Sequence, residues 1–219
     1  MIRKFWFPTS IILLYLITIP LQQYAIFNWD VAYAIQVANK MLAGGHYYTD
    51  FFNSNPPLAF YIYIPVVALE KIVNPIAALQ FYILLIASCS LGISYNFIKK
   101  LFSKKDLLLA QLFILALAVG FLILPTSTFG QRAHIGVMFL TPYFLLAAMR
   151  VQNSPSLWLR FFVMLFAAIG FLLCPTFAII FIAVEIYIAT KQQRFYPFLN
   201  IEIFIMALLT VIYLLSIVV

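Results

Sequence analysis

Six acidic residues stand in a chain of 219, and two of them are placed where proton chemistry is possible. Asp30 follows the first apolar run. Asp50 lies in the polar stretch "GGHYYTDFFNSNPPLAF", residues 44–60, just ahead of the Pro56–Pro57 pair. Partial desolvation at a membrane interface raises a carboxylate's basicity, which suits a general base. A plainer role also fits Asp30, that of N-cap to the helix beginning beside it. A second cluster, "PTSTFGQRAH" at 125–134, brings Arg132 and His134 into one turn. A guanidinium there suits a phosphate, which it binds by paired charge-assisted hydrogen bonds. Arg132 as an anchor of its helix end at lipid headgroups is an equal alternative. Thr126, Ser127 and Thr128 read first as helix caps.

The other candidates are plainer. Asp106, Glu185 and Glu202 fall near cytoplasmic ends of apolar runs, and Glu70 borders a short helix. Glu185 reads as a side chain snorkelling to the surface near Lys191 rather than as a proton relay. Tyr47, Tyr48, Phe51 and Phe52 flank Asp50 and suit lipid contact better than stacking on a sugar ring. Cys89 and Cys174 lie in apolar runs and read as small buried hydrophobes. The chain has no P-loop, HExxH, GxSxG or Cys/His metal pattern. No cofactor is called for, and a need for divalent metal is left open.

The elements that position these residues follow from composition. The chain is 66% hydrophobic and 9% charged, with a mean hydropathy of +1.08. A soluble domain carries about a quarter charged residues, so this pattern predicts an all-α integral membrane protein. The net charge of +7 therefore reads as a topology signal and not as a nucleic-acid surface. The N-terminal run reads as an uncleaved anchor, because Gln22 and Gln23 spoil a small-residue cleavage site. Apolar runs predict spans at about 6–27, 76–98, 107–124, 133–150 and 200–219. The stretch 161–190 reads as a hairpin broken at Gly170 and Pro175, giving spans at 158–173 and 175–190.

Charge decides the remaining ambiguity, at 57–73. If this segment lies on the outer surface, ten of the thirteen basic residues are cytoplasmic: Arg3, Lys4, Lys99, Lys100, Lys104, Lys105, Arg150, Arg160, Lys191 and Arg194. Lys40, Lys71 and Arg132 stay outside. If it spanned, "KKLFSKK" would fall outside, against the positive-inside tendency. The expectation is seven transmembrane helices in one domain, N-terminus in, with an outer loop at 28–75. That loop holds two surface helices. The first, "DVAYAIQVANKML", sets Val31, Ala34, Ile35, Val37, Ala38, Met41 and Leu42 along one side and ends at Gly44 and Gly45. The chain stops inside a hydrophobic run, which favours a piece of a longer protein.

The order of these features carries a resemblance. A first span, Asp30, a surface helix ending in "GGHYYTD", then "NPPLAFYIY", then a span closing with "KKLFSKK" resembles the N-terminal part of GT-C type polytopic membrane glycosyltransferases. That class contains protein O-mannosyltransferases and aminoarabinose transferases. "FGQRAHIGVMFLTPYFLLAA" resembles a segment of a bacterial branch, with Ala133 where an acid is common. "GFLLCPTF" is similar to a recurrent hairpin, with Cys174 where Lys is common. Before the Pro-Pro pair, Ser54 and Asn55 stand where other branches place Glu and Lys. The resemblance implies Asp30 as general base and Asp50 as a second loop acid that orients the acceptor. It implies Arg132, helped by His134, as the group that steadies the departing lipid phosphate. Asn55, Pro56 and Pro57 shape the loop. The implied donor is a polyprenyl-phosphate sugar, the acceptor is unspecified, and the implied location is a bacterial inner membrane.

Two other readings come from the same residues. A non-catalytic membrane subunit or truncated relic predicts a second chain that supplies further spans. A transporter of lipid-linked sugar predicts functional polar groups inside the spans, whereas the polar clusters here concentrate in the outer turns.

Overall fold

The computed structural model describes residues 5–24, 28–47, 49–50, 55–102, 104–152, 155–192 and 200–218. Every regular element among them is helical. The apolar runs become α1 (Trp6–Tyr24), α5 (Pro75–Leu101), α6 (Leu107–Leu122), α7 (Arg132–Gln152), α8 (Leu157–Leu173), α9 (Phe177–Lys191) and α10 (Ile201–Val218). Helices α5 and α7 are long and apolar enough to cross a membrane. A third candidate arises when α1 and α2 are taken together as one bent span.

The first loop holds α2 (Trp29–Leu42), α3 (Leu58–Tyr61) and α4 (Ile64–Glu70). The single helix expected at 57–73 is split, because Pro65 near the start of α4 has no N–H to continue the ladder from α3. Asn28, not Asp30, is the N-cap of α2: its side chain accepts the Asp30 amide at 2.8 Å. The helix ends at Gly44, whose φ of +92° suits glycine. Val31, Ala34, Ile35, Val37 and Ala38 are buried as the periodicity predicts, but Leu42 is exposed. This stripe is covered by protein, since α2 packs on α3 and α4.

Helix α7 is central, packing most extensively on α8 and α5. Its contact with α8 is close because both sides carry glycine. A Cβ on Gly170 would sit 2.7 Å from the carbonyl oxygen of Gly136. Pro142 lies inside α7 and leaves the Met138 carbonyl without its usual donor. The buried Ser90 hydroxyl of α5 donates to that oxygen at 2.6 Å. The break in one helix thus becomes a tie to its neighbour.

One reading of charge needs correction. Glu185 does not snorkel to the surface. It is buried, takes both Nη atoms of Arg150 at 2.6 and 3.0 Å, and accepts from the Tyr143 hydroxyl at 2.8 Å. Glu202 is fully buried and takes Nε and Nη2 of Arg160, each at 2.6 Å, with Arg150 Nε at 3.3 Å. The buried Arg150 and the part-buried Arg160 are thus both paired with carboxylates. Cys174 is buried as expected, but Cys89 is exposed on α5.

Candidate functional site

The turn between α6 and α7 is fixed by its own sequence. Pro125 cannot donate to the Phe121 carbonyl at the end of α6. The His134 ring supplies the donor through Nε2 at 2.8 Å, while its Nδ1 accepts the Gly130 amide at 3.0 Å. Nδ1 is thus unprotonated, Nε2 carries the proton, and both ring nitrogens are spent on backbone. Gly130 itself has φ +78°, and a Cβ there would press on Leu79 at 3.1 Å.

Three side chains of the first loop then grip this turn. Asn28 Nδ2 donates to the Ser127 carbonyl at 2.7 Å. Gln131 Nε2 donates to Asp30 Oδ2 at 3.2 Å. The buried Tyr63 hydroxyl donates to the Gly130 carbonyl at 2.7 Å. Burial holds the Tyr63 phenol well above its ordinary pKa, so it stays a donor. Tyr63 falls where the chain breaks between α3 and α4, so the Pro65 break sets up this contact.

Between these segments lies an open cavity of about 400 Å³. Asp30, Tyr33, Asn55, Tyr63, Gln131 and Arg132 are among its lining residues. Three residues singled out in the sequence, Asp30, Asn55 and Arg132, therefore share one space. Arg132 is the first residue of α7, where the helix dipole adds positive potential. Its guanidinium makes no hydrogen bond or ion pair among the described residues, and none joins it to Asp30. A carboxylate able to take a proton and an unspent guanidinium able to hold an anion thus face the same opening.

The other candidates lie elsewhere. Asp50 does not line the cavity; its Oδ2 accepts the His46 amide at 2.7 Å and closes a turn. His134 is partly buried behind the turn and serves the backbone. Pro56 and Pro57 start α3, their carbonyls accepting the amides of Ala59 and Phe60 at 2.9 Å. The Tyr47 hydroxyl donates to the Asn55 carbonyl. Tyr48, Phe51, Phe52 and Ser54 lie outside the described residues. Among those described, no three His, Cys, Asp or Glu side chains gather as metal ligands. Sequence reading missed Asn28, Tyr33, Tyr63 and Gln131 as site residues. Of these, Gln131 stands directly beside Arg132 in the quoted turn.

Comparison of the chain with protein families, curated proteins and solved structures gives no match.

Proposed function

We propose that the chain is a seven-span protein of a bacterial inner membrane, N-terminus in the cytoplasm, and that it transfers a sugar from a polyprenyl-phosphate donor to an acceptor at the outer face. In this reading α2, α3 and α4 lie at that face and hold the cavity at the membrane surface. The observation that carries it is the meeting of Asp30 with Arg132, across the 101-residue separation bridged by the Asp30–Gln131 bond. Asp30 takes the proton from an acceptor hydroxyl or amine as that group attacks the anomeric carbon. The bond from that carbon to the phosphate oxygen breaks, and Arg132 stabilises the phosphate that leaves. Asp50 and His134 act at a distance, by closing the 46–50 turn and by fixing the turn before α7. The buried charges of α7 to α10 are spent on one another, which disfavours the transporter reading.

The test uses membranes carrying the full chain, supplied with a panel of radiolabelled polyprenyl-phosphate hexoses and pentoses. Asp30→Asn is expected to lower transfer by about 10²–10⁴-fold while the protein stays inserted. Full activity in that variant would overturn the assignment.

A further inference from the structure

A second concavity lies toward the other end of the molecule, between α1, α5 and α6. Leu79, which touches the turn at Gly130, and Lys99 are both on α5, and their spacing puts them roughly 30 Å apart along the helix. The groove beside the Lys99 end has a volume of about 530 Å³, with Phe7 and Tyr15 on one wall, Ser88, Gly92 and Tyr95 on the other, and Ile114 on α6. Two of its three hydroxyls, those of Tyr15 and Ser88, are satisfied internally. Ser88 donates to the Leu84 carbonyl at 2.7 Å, so the Tyr15 hydroxyl is the donor in its 2.8 Å bond to Ser88. Beyond the Tyr95 hydroxyl, such a lining offers a polar solute little. Gly92 widens the groove, for a Cβ there meets nothing within 4 Å.

One end of this apolar trough is aromatic and then cationic. The Phe7 and Tyr95 rings stack at 5.7 Å, and Lys99 Nζ lies 5.1 Å from the centre of the Tyr95 ring. Lys99 forms no ion pair among the described residues. The segment 99–106 carries four lysines and one aspartate. We infer that the groove is a binding site for an anionic phospholipid, with one acyl chain in the trough and the phosphate at Lys99. A chain and a phosphate on one molecule match apolar walls that run up to an unpaired ammonium. A zwitterionic lipid would fill the trough with less gain from the charge. The inference rests on the membrane part of the proposal above and not on glycosyl transfer.

Trp6, next to Phe7 with ring centroids 6.0 Å apart, is a natural reporter. The exposed Trp29 and Trp158 are changed to Phe, and the full chain is placed in nanodiscs containing lipid brominated on its acyl chains. Brominated phosphatidylglycerol is expected to half-quench Trp6 at about fivefold lower mole fraction than brominated phosphatidylcholine. Lys99→Gln, a surface change, should bring the two lipids together. Gly92→Leu, whose side chain enters open space, should reduce quenching by both. Equal quenching by the two lipids in the parent overturns the site, as does a preference that survives Lys99→Gln. Protection of Trp6 that grows with protein concentration also overturns it, by showing a second copy in the groove. Absence of quenching by either lipid overturns the membrane reading along with it.

Discussion

Helix α7 carries an arginine near each end, Arg132 and Arg150, about 27 Å apart along the axis. The two sit in opposite surroundings. Arg150 is buried, and its guanidinium is shared by Glu185 and Glu202. Its backbone carbonyl also takes the Gln192 side chain at 2.7 Å. Arg132 faces an open cavity and has no carboxylate partner among the described residues. The same side chain on the same helix is thus used up at one end and left available at the other. A closed network, with two arginines against two glutamates, holds helices together and offers nothing to a ligand. An unspent guanidinium stabilises nothing within the fold and keeps its full capacity to bind an anion.

The largest way to break this contrast is to unbalance the closed end. Glu202→Ala leaves the buried Arg150 and the part-buried Arg160 short of a partner. It is expected to cost about 3–5 kcal/mol of stability, read as the denaturant midpoint of the detergent-solubilised chain. Arg132→Gln, in the same assay, should stay within about 0.5 kcal/mol. Similar losses at both ends would refute the contrast. A sharper form replaces the whole inner pair: Arg150→Met with Glu185→Leu and Tyr143→Phe removes both charges together with the hydroxyl that would lose its acceptor. With Glu202 intact and still paired with Arg160, stability should stay close to the parent's, because no buried charge is left alone.

A smaller effect is expected where the open end is held in shape. Gly130→Ala forces an L residue to φ +78° and sets its methyl against Leu79. The expected cost is about 1–3 kcal/mol by the same midpoint measurement. Adding Leu79→Val should relieve only the contact. If the pair behaves like the parent, the backbone conformation carries no strain and the turn is held by its hydrogen bonds alone.

These two ends also differ in how legible they are in sequence. The helices follow from apolar runs bounded by basic residues and prolines, and the α3–α4 break follows from Pro65. Asp30 and Arg132 stand out because a polar residue in a turn between apolar runs is conspicuous. Their meeting is not legible, since it depends on Asn28, Tyr63 and Gln131 reaching across the fold. The inner network is hidden more thoroughly. Glu185 and Arg150 are 35 residues apart, Glu202 and Arg160 are 42 apart, and Lys191 stands nearer to Glu185 in sequence than its true partner. Only packing of α7 to α10 decides which charges pair. His134 is a different case. The proline four residues after Phe121 announces an orphan carbonyl, and an imidazole close by is suited to answer it.

Glu70 supplies the smallest test, because it belongs to neither end. It lies in the first loop at the end of α4, and its Oε1 is shielded from solvent with no hydrogen-bond partner among the described residues. Desolvation raises its pKa above the ordinary carboxylate value. A raised folded-state value means that the protonated form is the better accommodated one. The contribution is present below the ordinary carboxylate pKa and is lost as pH rises through the raised value. At neutral pH Glu70 is therefore slightly destabilising, unlike Glu185 and Glu202, whose charge is matched. Glu70→Gln should raise the thermal midpoint at neutral pH by less than about 2 °C and flatten its fall across that pH window. If the variant instead loses stability at neutral pH, the Glu70 carboxylate has a compensating partner and resembles the closed end of α7 after all.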